Sequence, residues 1–243
     1  MHIQAALGPP GKRAPYYQDT PAEIRTELWR RVKEALEPLR ASGKLGLVHF
    51  QFPPWLRCNR EGHAHVERCV DGMAGYRLSV EFRQRGWFEP AQSDSNLAFQ
   101  RELGVVYTVV EGPQGFDNSV PALWCATHAT HALVRLHGRN AASWDIQGAS
   151  AASDRFNDDY PDSELDGLSA HIKRLAQDVL EVHVVFNNNM QDQGQRNAAS
   201  LARRPCSPLS PDVRSARLEL WPGEWRRACK ERRGFEATNR AVR

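Results

Sequence analysis

Glu81, Arg83, Arg135 and His137 fall at alternating positions of two short segments that read as β-strands. Strand side chains alternate between two faces. In Leu78–Arg83, Val80 and Phe82 take one face and Glu81 and Arg83 the other. In Leu133–His137, Val134 and Leu136 take one face and Arg135 and His137 the other. Charged groups on a face that should be buried are costly unless they are paired or used. Together with Gln51, Glu111, Asn187 and Asn188, which sit at the ends of further strands, they make a mixed-charge set. Arginine holds phosphate or carboxylate through two parallel hydrogen bonds. Glu81 or His137 is the candidate to move a proton, on the expectation that desolvation and neighbouring charges shift their pKa values toward neutrality. Gln51, Arg83, Glu111, Arg135, Asn187 and Asn188 are the candidate substrate-binding groups. The competing reading is an internal ion network that makes the interior specific.

The elements that must position these residues are legible from periodicity. Five segments read as strands: Leu45–Phe52, Leu78–Arg83, Val105–Glu111, Leu133–His137 and Val182–Asn187. In the first, Val48, Phe50 and Phe52 oppose His49 and Gln51. Helical patterns lie between the strands, which predicts an α/β fold with a parallel sheet and outer helices. Thr20-Pro21-Ala22-Glu23 reads as a capping box with proline at the first helical position. Ile24, Leu28, Val32, Leu36 and Leu39 follow at helical spacing, and Ser42-Gly43 ends the run. Further helices are expected over 56–75, Ser95–Leu103, Ser163–Leu180 and Arg196–Arg203. Gly112–Thr130 and Gly138–Pro161 read as long irregular stretches, each following a strand end.

The chain has 243 residues with ordinary hydrophobic (41%) and charged (25%) content, which fits a soluble globular protein. Its net charge of +3 is unevenly placed. From Arg203 onward there are eleven Lys and Arg against five Asp and Glu, so the body is mildly acidic and the tail basic. Such a body does not advertise nonspecific nucleic-acid binding. Residues 205–243 read as a disordered basic tail, 1–19 as an irregular N-terminal segment, and 20–204 as the folded domain. Five widely spaced cysteines without a CxxC suit a reducing compartment, and with no membrane-length apolar run or secretory leader the expectation is cytoplasmic.

Other motifs carry less. Cys58, His63, His65 and Cys69 have a metal-like composition, but their spacing fits no standard zinc module. A solvated helix with buried thiols is the expectation, so no metal and no cofactor are assigned. Thr127-His128-Ala-Thr-His131 has an H-x2-H spacing but precedes its strand and reads as loop. No nucleotide-binding glycine motif, P-loop or nucleophile elbow is present.

Several motifs together resemble a known family. They are Leu47-Val-His-Phe-Gln-Phe-Pro-Pro54, Val80-Glu-Phe-Arg83 with Trp87-Phe88, Val134-Arg-Leu-His-Gly-Arg-Asn140, and Phe186-Asn-Asn-Asn189 with Asn197-Ala198. Asp19 to Glu23, Arg155-Phe156, Tyr160 and Glu164-Leu165 agree as well. From about Pro9 to Leu201 the chain is similar to the YecE-like family, domain of unknown function 72. The resemblance implies a TIM-barrel-like fold with no established activity. It also implies that the five strands correspond to the family's fourth to eighth, so that the chain is N-terminally truncated and its fold a partial TIM-barrel-like one. Glu111 stands where the family usually has Asp, and Gln84 where it often has His. Barrel enzymes work at the C-terminal ends of the strands. Three functional readings follow. One is acid/base chemistry on a small polar or anionic substrate bearing phosphate or carboxylate. Another is a nucleic-acid-binding or phosphodiester-cleaving barrel. The third is a remnant without activity.

Overall fold

A computed structural model describes residues 20–116, 119–144 and 152–204. The sequence-based N-terminal segment and basic tail lie outside these residues. The order of elements is α1 (Ala22–Ala41), β1 (Val48–Phe52), α2 (Arg60–Gly72), β2 (Leu78–Phe82), a 3-10 turn (Arg85–Phe88), α3 (Ser93–Glu102), β3 (Val106–Glu111), β4 (His131–Leu136), α4 (Ala141–Trp144), a 3-10 turn (Ala152–Phe156), α5 (Asp162–Leu175), β5 (Glu181–Phe186) and α6 (Gln193–Ala202). The described strands form one parallel sheet in chain order, β1-β2-β3-β4-β5, so β1 and β5 are its edges. This is the alternating strand and helix pattern that the periodicity predicts.

The chain divides into two compact units. Among the described residues the first holds 20–48 together with His63–Leu78. Within it, Trp29 packs so closely on Gly72 that a Cβ there would lie 2.6 Å from the indole. Helix α1 starts one residue later than the capping-box reading requires. Pro21 is the N-cap, and its carbonyl accepts from Ile24 and Arg25 N–H at 3.1 and 3.0 Å. None of the residues of α1 is buried among the described residues, and Leu28, Val32 and Leu39 are exposed. Periodicity identifies the face a helix could bury, not whether that face is covered.

Among the described residues the second unit holds His49–Gly62 and those of 79–204, and it contains the candidate site. Register fixes which side chains share a face, because partners in a parallel pair point the same way. Ser79 pairs with Val106, Thr108 with Leu133, Val110 with Arg135, and Leu133 and Arg135 with His183 and Val185. One face therefore carries Ser79, Glu81, Val106, Thr108, Val110, His131, Leu133, Arg135, Glu181 and His183. The opposite face carries Val80, Phe82, Tyr107, Val109, Val134 and Leu136, all at most 1% exposed. Helices α3 and α6 pack on β3 and β5. Phe82 is sandwiched between Phe52 and Trp87, with ring centroids at 5.6 and 3.9 Å. The Trp87 indole N–H donates to the Leu56 carbonyl at 2.9 Å, so the ring is buried without an orphaned donor.

Several boundaries differ from the sequence reading for local reasons. Helix α2 starts at Arg60 rather than near 56, because the Asn59 side chain caps it and accepts from Gly62 N–H at 2.8 Å. Helix α5 ends at Leu175, where Gln177 and Asp178 turn back onto the Arg174 and Leu175 carbonyls. The stretch Gly138–Pro161 is not wholly irregular, since it holds α4 and a 3-10 turn. Elements of four and five residues are too short to leave a period.

Candidate functional site

Glu81 is fully buried at the centre of the polar face. Arg135 Nη1 donates to its Oε2 at 2.6 Å, and Arg83 Nη1 to its Oε1 at 3.0 Å. His49 Nε2 approaches Oε2 at 3.4 Å and His137 Nε2 approaches Oε1 at 3.8 Å. Ser79 Oγ contacts His49 Nδ1 at 3.0 Å and orients that ring. Burial is the largest single influence on Glu81 and pushes its pKa up. The His49 hydrogen bond and the charges of Arg135, Arg83 and His137 together outweigh it and hold the carboxyl at about 2.

His137 lies beside Arg83, on the Oε1 side of Glu81. Burial, reinforced by Arg83, drives its pKa down to about 3 against the opposing pull of Glu81, so the ring is neutral near pH 7. The expectation that surroundings bring both groups toward neutrality is therefore corrected. Two guanidiniums beside one carboxylate keep the acid ionised and the imidazole unprotonated.

The hydrogen-bond pattern around His137 does not close. Arg83 Nη1 faces Nε2 at 3.2 Å and claims its lone pair. A neutral imidazole has one acceptor and one donor nitrogen, so Nδ1 carries the proton. Nδ1 meets the Asn187 amide at 3.1 Å. The amide oxygen of Asn187 already accepts from Arg135 Nη2 at 2.8 Å, which leaves its Nδ2 toward the ring. Turning the amide over moves the mismatch to Arg135. The run Arg83–His137–Asn187–Arg135 thus holds one more donor than it has acceptors. The cluster's charge is also one positive in excess, with Arg83 and Arg135 against Glu81.

The side toward solvent is marked by Gln51, an exposed residue whose Oε1 accepts from Arg135 Nη1 at 2.8 Å. Arg83 and Arg135 keep only 12% and 15% of their side-chain surface exposed. Trp144 forms an aromatic wall. Arg83 lies 5.5 Å over its ring and His137 meets it edge-on at 6.1 Å, while Phe156 contacts both His137 and Trp144. Trp144 was not singled out from sequence, nor was His49 as a site residue. Their signals are weak: an aromatic in a long loop after a strand end, and a polar residue with the parity of Gln51.

Glu111 and Asn188 are not brought into this cluster. Glu111 pairs in register with Leu136, on the face opposite Glu81 and Arg135. Its carboxylate accepts from Tyr160 Oη at 2.6 Å and pairs with Arg139 Nε. Burial, then the Glu111 charge, push the Tyr160 phenol upward, so it stays a donor. Asn188 is buried against α6, donating to the Asp158 carbonyl at 2.8 Å and to Asn197 Oδ1 at 2.7 Å. Tyr160 Oη in turn accepts from Gly138 N–H at 2.8 Å. These contacts tie the segment after β4 to the one after β5. Gly138 has φ of +92°, and a Cβ there would stand 2.6 Å from Asp158 Cβ. Gly138→Ala is therefore expected to destabilise by more than about 1 kcal/mol, read as a lower urea midpoint.

Of the four Cys and His residues weighed as a metal set, Cys58 faces Gln92 at 3.9 Å, and Cys69 lies 3.8 Å from His65 Nε2. Burial raises both thiol pKa values.

Parallel strands alternating with helices, with polar side chains gathered toward the strand ends, define an α/β protein of the TIM-barrel-like class. The structure is similar to the crystal structures of two proteins of that class. One is the DUF72 family protein EF0366 of Enterococcus faecalis V583, with a TM-score of 0.70 and 29% identity, covering 73% of this chain and 65% of that one. The other is the DUF72 family protein TM1631 of Thermotoga maritima MSB8, with a TM-score of 0.65 and 26% identity, covering 73% and 64%. The chain belongs to the family described as "Protein of unknown function DUF72", which it matches over residues 14–210. It is 35% identical over 173 residues to the UPF0759 protein YunF of Bacillus subtilis (strain 168), covering 70% of this chain and 61% of that relative. The chain thus spans less than two thirds of the length of these three relatives. Among the described residues no helix is long and apolar enough to cross a membrane.

Proposed function

We propose that the cluster around Glu81 binds the anionic end of a small molecule, a carboxylate or phosphate, and that His137 then moves a proton on it. The surplus of one donor carries this reading. Asn187 Nδ2 and His137 Nδ1–H face one another with no acceptor between them, and an anionic oxygen would supply it. The excess positive charge is the electrostatic counterpart of that gap. The small exposure of both arginine side chains favours one end of a small molecule over a nucleic-acid backbone, which needs a broad basic surface.

Binding would also change the proton chemistry. Arg83 and Arg135 are among the charges that hold His137 down. An anion bridging them offsets that charge and moves the imidazole upward, toward the range where proton transfer is efficient. Glu81 then has a positioning role, holding the two arginines side by side. Trp144 and Phe156 close one side against water.

The test is binding of inorganic phosphate, sulfate and small mono- and dicarboxylates by calorimetry. Saturable binding of at least one anion is expected, weakened at least tenfold by Arg135→Met. If no anion binds, or Arg135→Met binds as the parent does, the reading falls and the cluster is an internal ion network.

A further inference from the structure

A second polar cluster lies at the opposite ends of the same strands. His131 opens β4, and Glu181 and His183 lie at the start of β5, all on one face because His131 pairs with Glu181 and Leu133 with His183. Along β4, His131 is four residues from Arg135, roughly 13 Å at the usual strand rise. Nothing in the proposed anion chemistry uses this group.

Its geometry is that of a ligand set. One nitrogen of each imidazole and one carboxylate oxygen all lie within 4.8 Å of one another. His131 Nε2 is 3.4 Å from Glu181 Oε2, and His183 Nε2 is 3.7 Å from the same oxygen. Zinc bonds of about 2.0–2.1 Å in a tetrahedron place neighbouring ligand atoms about 3.4 Å apart. Both spacings are long for a direct hydrogen bond and close to that edge length. His183 Nε2 is itself buried and, among the described residues, hydrogen-bonds to nothing, although 43% of the side chain is exposed. The two imidazoles are nearly parallel, 19° apart, with centroids at 5.9 Å.

The surroundings hold the His131 ring in place. Its Nδ1 contacts Thr130 Oγ1 at 2.6 Å, and that hydroxyl reaches His128 Nδ1 at 3.2 Å. Thr130 N–H also donates to His128 Nδ1 at 3.2 Å, so this nitrogen is an acceptor. The hydroxyl can donate to either imidazole, so Thr130 holds the two rings together without fixing the tautomer of His131. His131 Nε2 is the nitrogen that faces Glu181, and a hydroxyl held at Nδ1 is the kind of outer contact that orients a metal-bound histidine.

We propose that His131, Glu181 and His183 form a zinc site joining the amino-terminal ends of β4 and β5. Two imidazoles and a carboxylate suit this borderline cation, and the 61% exposure of Glu181 leaves the fourth position to water. The site would fix the starts of the two strands.

The experiment uses the full chain, stripped with a chelator and titrated with zinc chloride against a chromophoric competitor. One equivalent is expected to bind at micromolar concentration or tighter. Glu181→Gln and His183→Gln should each weaken binding at least tenfold while leaving circular dichroism unchanged, since both side chains are substantially exposed. Cobalt in place of zinc should give the visible absorption of four-coordinate geometry, lost in the same variants. Absence of saturable zinc binding would overturn the proposal. So would unchanged affinity in both variants, which would assign bound zinc to other residues such as His65 and Cys69. Retained anion binding in these variants would separate this site from the one around Glu81.

Discussion

Glu81→Ala is expected to destabilise the protein by about 3–5 kcal/mol, the usual cost of removing one member of a buried charge group. The carboxylate is fully buried and joins two arginines that have little surface of their own. Without it, Arg83 and Arg135 remain side by side, mutually repelling and unable to reach water fully. The size of the effect lies in the arginines left behind, not in the worth of the pair itself. A second substitution therefore distinguishes this mechanism from lost packing. Arg135→Met in the Glu81→Ala background should recover part of the loss, giving a coupling energy of about 1–3 kcal/mol in a double-mutant cycle. Urea unfolding of the four proteins measures it. A Glu81→Ala loss below about 1 kcal/mol would mean that water or relaxation already satisfies both guanidiniums.

Much of this arrangement was legible in the sequence, because strand parity is strict. Glu81 and Arg83 on one segment, and Arg135 and His137 on another, oppose runs of apolar residues, so only one face could hold them. Gln51 and Asn187 follow the same rule. Glu111 escaped it for a physical reason. In β3 both alternating sets are mainly apolar, Val106, Thr108 and Val110 against Tyr107, Val109 and Glu111. Alternation alone cannot say which set faces the helices, and register with β4 decides it. Asn188 lies one residue past Asn187 and so takes the other direction, toward Asn197. Trp144 and Phe156 belong to elements of one turn, below the length at which periodicity speaks. The His131 group depends on where β4 begins. Sequence periodicity alone starts that strand at Leu133 and places His131 in a loop. The Leu180 and Glu181 N–H groups donate to the Thr130 carbonyl at 3.1 and 2.9 Å and extend the pairing to His131. A two-residue difference at a strand start is what separates a loop histidine from one facing Glu181 across a ladder.

Acid is expected to destabilise the protein well before its carboxylates protonate, and His137 is the main reason. Its pKa is about 3 in the native state, against 6.5 for the free side chain. Above pH 6.5 the ring is neutral in both states and contributes no slope. Below 6.5 the unfolded chain takes up a proton that the native state refuses, so stability falls by about 1.4 kcal/mol per pH unit down to about pH 3. Glu81 adds to this only below 4.5, because its native pKa is lowered to about 2: its contribution is complete above 4.5 and lost as pH falls through 2. The acid limb should therefore be shallow between 6.5 and 4.5 and steeper beneath. His65 and His171 are also lowered by burial, so His137→Gln should flatten the upper limb substantially without abolishing it. The same limb reports on the proposed ligand. Sulfate keeps its charge across this range, and sulfate bridging Arg83 and Arg135 would raise His137 toward its ordinary value. Saturating sulfate should thus shorten the upper limb in the parent, with little effect on the slope in His137→Gln. Urea unfolding at half-unit pH steps measures all four curves. A parent slope no steeper than that of His137→Gln would mean that His137 takes its proton in the native state, and that the two arginines do not hold it neutral.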